Sequence, residues 1–115
     1  MKRAAKVRVN PRLWSPISGR VDGRLDPERQ AWAEIREEAG IDMGKLRKIH
    51  VGRKYKLHVR ELTEVIIYPY LFESTTRRVH LNWENTDYRW VRISDLPRFK
   101  LIPKFDLTLR ALELT

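Results

Sequence analysis

The sequence predicts an α/β fold in which helices pack on a sheet. Asp26-Pro27 offers an N-cap acceptor and a proline at the first helical position, and Gly40 offers a left-handed cap, so we predict a helix from Pro27 to Ala39. Residues 64–73 hold an almost continuous apolar run, typical of a strand covered on both faces. Because further strand-like segments surround that helix and a second helix is expected at 103–114, we expect a sheet with helices on it.

The remaining elements follow from local signals. A short first strand is expected at Lys6–Val9, where Asn10-Pro11 stops it. Lys45–Val51 and Lys54–Arg60 are typical of a hairpin that turns at Gly52-Arg53. Pro69, inside the apolar run, predicts a bulge or a missing ladder hydrogen bond. We also expect an extended segment at 17–21, strands at 77–83 and 88–93, and a helical turn at 94–96.

Length and composition limit the function classes. The 115 residues fit one domain spanning 1–115, and a hydrophobic content of 42% allows a core. No apolar window approaches the length of a membrane span and the charged start leads into no apolar segment, so we expect a cytoplasmic protein without a membrane partner. The absence of cysteine excludes disulfides, thiolate metal sites and cysteine nucleophiles. Any metal is expected on carboxylate oxygens, which favour Mg²⁺ or Mn²⁺.

The net charge of +9 is distributed unevenly. Residues 1–24 carry +6, residues 25–44 carry −4, residues 45–60 carry +7, and the remainder is neutral. A salt-bridged surface of a heat-adapted protein explains many of these charges, and the single glutamine agrees with that habit. Like charges gathered in two blocks also indicate a polyanionic partner such as a nucleotide or RNA.

Three carboxylates share one face of the predicted helix. Glu34, Glu37 and Glu38 are spaced i, i+3 and i+4, whereas Ile35 is offset from them and can face the core. Like charges at this spacing cost a few tenths of a kcal/mol per pair, roughly, and a divalent cation would remove that cost. For the triad alone, an ordinary solvated helix face with Arg36 and Arg29 as partners is the more common explanation.

The wider segment resembles the signature of the Nudix hydrolases. Gly19 fits its first glycine, and Glu34, Ile35, Glu37, Glu38, Gly40 and Ile41 fit its end in register. Leu25 and Ala33 depart from it, because the family typically has a glutamate and an arginine there that brace the loop against the helix. The segments 14–19, 68–72 and 82–91 are also similar to the family, most of all to the archaeal branch found with initiation factor 2B-like domains.

The resemblance implies an α/β/α sandwich with a mixed sheet, the signature helix on one face and the C-terminal helix on the other. The first strand would be short, and the sheet edge beside it would accept a second copy or another partner. The implied activity is Mg²⁺-dependent hydrolysis of a nucleoside diphosphate linked to another moiety. Glu38 would be the principal metal ligand. The implied site is completed by Glu34, Glu37, the carbonyl near Gly19 and, as a further ligand or base, Glu84, with Asp87 a weaker candidate.

Substrate contacts are expected from residues near the signature. Arg20 and Arg12 could hold phosphates, because phosphates need cations or backbone donors. Trp14 and Tyr70 could form an apolar wall against a base or sugar, although aromatic side chains more often serve as core.

A second class of function stays open, a Nudix-like module that binds RNA or ribosomes with weak or no hydrolysis. The basic block 45–60 could follow a phosphate backbone through salt-sensitive contacts. The residues expected to do so are Lys45, Arg47, Lys48, Arg53, Lys54, Lys56 and Arg60.

Overall fold

The computed structural model describes residues 1–21, 26–60 and 63–115 and shows a small α/β protein with short antiparallel sheets. Its helices are α1 (Pro27–Ala39) and α2 (Phe105–Ala111), with 3₁₀ turns at Met43–Lys45 and Ile93–Arg98. Its strands are β1 (Lys2–Arg3), β2 (Leu46–Val51), β3 (Tyr55–Arg60), β4 (Thr63–Ile67), β5 (Tyr70–Ser74) and β6 (Asn85–Asp87). Three antiparallel pairs result: β1 with β6, β2 with β5, and β3 with β4.

Helix α1 confirms its predicted bounds. The Asp26 carboxylate accepts a hydrogen bond from the Arg29 backbone N–H at 2.8 Å, and Pro27 opens the helix. Gly40 ends it with φ of 64°, and its N–H donates to the Arg36 carbonyl. Both ends are therefore fixed by the capping residues themselves.

The two strands predicted within 45–60 are present as β2 and β3, but the prediction that they pair with each other as a hairpin is wrong. Strand β2 pairs with β5 and β3 with β4, so the chain runs out along β2 and β3 and returns along β4 and β5. Pro69 lies at a break between β4 and β5, where a bulge or missing ladder hydrogen bond within one strand was predicted, and its carbonyl accepts from the Gly52 N–H at 2.9 Å. Gly52 therefore lies at a bend between β2 and β3, opposite Pro69 on the returning arm. The run 64–73 is also not covered on both faces, since Ile66 is 49% exposed.

The predicted position of the first strand is wrong. The first strand is β1 rather than Lys6–Val9, and residues 17–21 form no strand. Lys2 pairs with Asp87 of β6 and bridges to Trp14, which in turn bridges in parallel to Leu101. Strand β1 therefore has neighbours on both sides, and the open edge expected beside it is not found among the described residues.

The later elements differ because their backbone groups are used elsewhere. Residues 77–83 are not a strand: the His80 N–H donates to the Ala39 carbonyl at 2.8 Å. The Arg77 carbonyl accepts from the Trp90 indole at 2.9 Å. Residues 88–93 form no strand, and β6 precedes them. The terminal helix is shorter than predicted, because Lys104 takes a left-handed conformation before α2.

The core is small and lies under α1. Ile35, Ala39 and Ile41 are its buried members, and Phe72 packs against them from β5. Trp32 of α1 meets the Phe72 ring edge-on, with ring centroids 4.6 Å apart. This packing fixes the orientation of α1 and so determines which helix positions face inward. None of the helices that the structure describes is long and apolar enough to cross a membrane.

Candidate metal and active site

A carboxylate is buried at the end of α1. Glu38 is only 2% exposed, and one of its oxygens accepts a hydrogen bond from the Asn85 amide at 3.1 Å. Within the described part of the chain, Glu38 Oε2 and Asn85 Oδ1 are buried without a hydrogen-bond partner. A buried carboxylate needs compensation, because removing its charge from water is expensive. Glu38 Oε2, which has no hydrogen-bond partner among the described residues, therefore marks this region as a candidate site.

Gly19 and Glu34 are in contact although fifteen positions separate them in the chain. A Cβ atom added at Gly19 would lie 2.0 Å from the Glu34 carboxyl carbon, so the loop approaches this side chain through a glycine. Gln30, one turn earlier on α1, donates its amide N–H to Glu34 Oε1 at 2.7 Å. The first and last parts of the signature-like segment are thus brought together.

Glu84 completes what we call the glutamate cluster: Glu34, Glu38 and Glu84. Its backbone is held beside β6, because its carbonyl accepts from the Ala4 N–H at 2.8 Å and its N–H donates to the Asn82 side chain. Burial is the main cause that raises the pKa of Glu38, to about 8. The nearby Glu34 and Glu84 carboxylates raise this pKa further, while the Asn85 hydrogen bond opposes the shift.

The glutamate cluster has little positive compensation. Among the described residues no lysine, arginine or histidine nitrogen lies within 4.0 Å of its carboxylates. The Met1 ammonium is attracted by Glu38, and burial lowers its pKa while it donates to the Ser15 carbonyl. No three acidic or imidazole side chains in that part of the chain form a group that could hold a metal ion. The donors present are one buried Glu38 oxygen and two neighbouring carboxylates, which are oxygen ligands of the kind that hard divalent cations take.

Two further predicted acids stand apart from this cluster. Glu37 is exposed on α1 and does not contribute to the pKa shift of Glu38. Asp87 of β6 accepts a hydrogen bond from the Tyr88 N–H at 2.7 Å. Glu37 could reach an ion only from the solvent side.

Trp14 lies in a cavity of about 140 Å³ that also includes Ser15, Arg89 and Phe99. Its ring meets Phe99 edge-on, with ring centroids 5.2 Å apart. Tyr70 lies elsewhere: burial and the acids at the start of α1, Glu28 first, raise its pKa. Glu28 and Glu38 are ten residues apart, about 15 Å along the helix.

Several predicted cations are on the surface. Arg12 and Arg20 are exposed, and Arg12 adopts a positive φ of 63°. Arg47 pairs with Glu73, and Lys48 pairs with Glu28 across to α1. Lys45, Arg53, Lys54 and Lys56 are exposed. The Arg60 side chain and Leu25, one half of the altered bracing pair, lie outside the described residues.

Sequence reasoning missed two residues that shape this region. Asn85 holds Glu38, and it directly follows a predicted site acid, so an amide in that place was a signal that could have found it. Phe99 packs on Trp14 from a segment that carried no signal beyond its hydrophobicity.

No model of a known protein family matches this chain, and a search of curated proteins finds no match either.

Proposed function

We propose that the protein is a Mg²⁺- or Mn²⁺-dependent hydrolase of the Nudix type that cleaves a nucleoside diphosphate linked to another moiety. The observation that carries the proposal is the buried Glu38 carboxyl, whose second oxygen lacks a protein partner among the described residues. The contact of Gly19 with Glu34 supports it, because it joins the two ends of the segment that resembles the Nudix signature.

The residues divide the work by their environment. Glu38, Glu34 and, from the other side, Glu84 would hold the cation, and Asn85 fixes the Glu38 carboxyl in place. When bound, the divalent cation would offset phosphate charge and make water a better nucleophile. Glu34 or Glu84, the acids beside Glu38, could serve as the base that accepts a proton from the attacking water.

The cavity around Trp14 is the proposed location of the nucleoside end. The Ser15 carbonyl of this cavity accepts a hydrogen bond from the Met1 ammonium. The charge of Glu38 also acts on that ammonium, so the cavity and the glutamate cluster are neighbours. The Trp14 and Phe99 rings offer an aromatic wall, and Arg89 adds a cation for a phosphate or a base oxygen.

The deciding test is a panel of nucleoside diphosphate derivatives with Mg²⁺, comparing the native chain with Glu38→Gln. We expect native hydrolysis to depend on Mg²⁺ and the variant to lose about 100-fold or more, as removal of one charged group from a reacting site commonly does. Glu73→Gln is the matched control, since Glu73 is an exposed acid paired with Arg47. Hydrolysis that survives Glu38→Gln, or none with any substrate of the panel, would remove the proposal.

A further inference from the structure

A second charged concavity lies between β3 and α2, and we call it the α2 cleft. Its volume is about 430 Å³. It is lined by Tyr55, Leu107 and Ala111, by three cationic side chains and by Glu113. The cations are Arg53, Lys56 and Arg110.

Among the described residues, the cations of the α2 cleft form no ion pairs. No carboxylate oxygen of the described residues lies within 4.0 Å of the charged groups of Arg53, Lys56 or Arg110. Arg47 and Lys48, in the same basic block, each have such a partner. Three unpaired cations around one cleft repel each other, and an anionic ligand would relieve this repulsion.

The cleft is held in shape by specific contacts. The Tyr55 hydroxyl and the Thr108 hydroxyl are hydrogen-bonded at 2.9 Å, and the Arg53 N–H donates to the Ala111 carbonyl at 3.3 Å. Gly52 permits this approach, because a Cβ atom there would lie 2.7 Å from the Ala111 oxygen. The bend that replaces the predicted hairpin turn therefore positions Arg53 and the start of β3 beside α2.

We propose that the α2 cleft binds single-stranded RNA, with phosphates on its three cations and a base against the Tyr55 ring and its apolar neighbours. A tyrosine in a basic groove offers a stacking surface that an unpaired base can reach and a base pair in a duplex cannot. Of the basic-block side chains that the structure describes, Arg53 and Lys56 line this cleft, and Arg110 enters from α2. The site is separate from the proposed hydrolase site, since the two share no residue.

The test is fluorescence anisotropy of a labelled ten-nucleotide uridine strand. The cleft variant combines Arg53→Gln, Lys56→Gln and Arg110→Gln. The control variant combines Lys6→Gln, Arg36→Gln and Arg78→Gln, which removes the same charge from exposed positions that also lack a carboxylate within 4.0 Å in the described chain. We expect the cleft variant to bind at least about tenfold more weakly and to lower the salt slope by about 2, for three lost phosphate contacts.

Three further arms separate the ligand classes. A duplex formed by annealing a ten-nucleotide adenylate strand to the uridine strand should bind more weakly than the single strand. Uridine monophosphate should bind far more weakly than either. Glu38→Gln should leave RNA binding unchanged, so failure here and failure of the hydrolase proposal are distinguishable. Equal losses in the cleft and control variants, preference for the duplex, or monophosphate binding as strong as the strand would each overturn the proposal.

Discussion

The glutamate cluster and the α2 cleft are two regions of unbalanced charge in opposite environments. Glu38 is 2% exposed, whereas the three cleft cations are exposed. Water stabilises an exposed charge at little cost, but a buried charge must be neutralised by a proton or by a partner. The two regions therefore differ in burial more than in their number of charges. A buried charge suits a tightly held cation, whereas exposed charges suit a polyanion whose binding depends on salt.

The largest expected effect is a pH-dependent loss of stability from Glu38 in chelator. Its pKa is about 8 in the folded chain against 4.5 ordinarily, so the folded state binds the proton more tightly. The free energy of unfolding therefore falls as pH rises from about 4.5 to about 8, by an amount on the order of 5 kcal/mol. Chemical denaturation at a series of pH values measures this decline.

The variant Glu38→Gln isolates the cause of that decline. Glutamine stays neutral, so its profile over the same interval should lose this slope, and at pH 8 the variant should be more stable than the native chain in chelator. Adding Mg²⁺ should stabilise the native chain and not the variant, because a ligand that binds only the folded state shifts unfolding by mass action. Parallel stability profiles for both chains would show that burial does not shift the titration of Glu38, and would contradict the difference drawn between the glutamate cluster and the α2 cleft.

A smaller effect is expected from Gly19→Ala. The new Cβ would meet the Glu34 carboxyl group at 2.0 Å, and the flexible end of Glu34 would have to move. We expect the free energy of unfolding in chelator to change by less than about 1 kcal/mol, because the helix itself is untouched. The stabilisation by Mg²⁺ should fall by about 1 kcal/mol, because Glu34 is displaced from the cluster.

Gly44→Ala is the matched control for that change. No atom of the described residues lies within 4 Å of a Cβ atom at Gly44, so the same added methyl group should alter neither stability nor the response to Mg²⁺. An equal Mg²⁺ response in Gly19→Ala and the native chain would show that Glu34 does not take part in cation binding.

Local signals predicted the parts of the fold that local interactions decide. Helix α1 was predicted to the residue because Asp26, Pro27 and Gly40 fix its ends within one turn. Pro69 was correctly predicted to disturb strand pairing, although it divides the predicted strand in two instead of leaving a bulge within it. The hairpin prediction failed because Gly52 satisfies a tertiary requirement, close approach to Ala111, that has the same local signature as a turn.

Residue spacing alone predicted the candidate site only within helix α1, and the family resemblance added Gly19 and Glu84. Helical spacing grouped Glu34 with Glu38, but it could not show that Glu38 is buried while Glu37 is exposed, since that depends on how α1 packs against Phe72. The pairing of Asn85 with Glu38 spans 47 positions and depends on where β6 is placed. Such contacts between distant segments are set by tertiary packing, which single-segment patterns do not contain.

The smallest expected effect concerns a surface pair that belongs to neither region. Arg47 and Glu73 face each other across β2 and β5 at 3.3 Å, with side chains 72% and 57% exposed. A double-mutant cycle with Arg47→Gln and Glu73→Gln should give a coupling of roughly 0.2–1 kcal/mol that fades in molar salt. A coupling as large as the Glu38 effect would mean that exposure does not weaken charge interactions in this protein. A small one leaves burial as the reason why the glutamate cluster, and not the basic surface, needs a counterion.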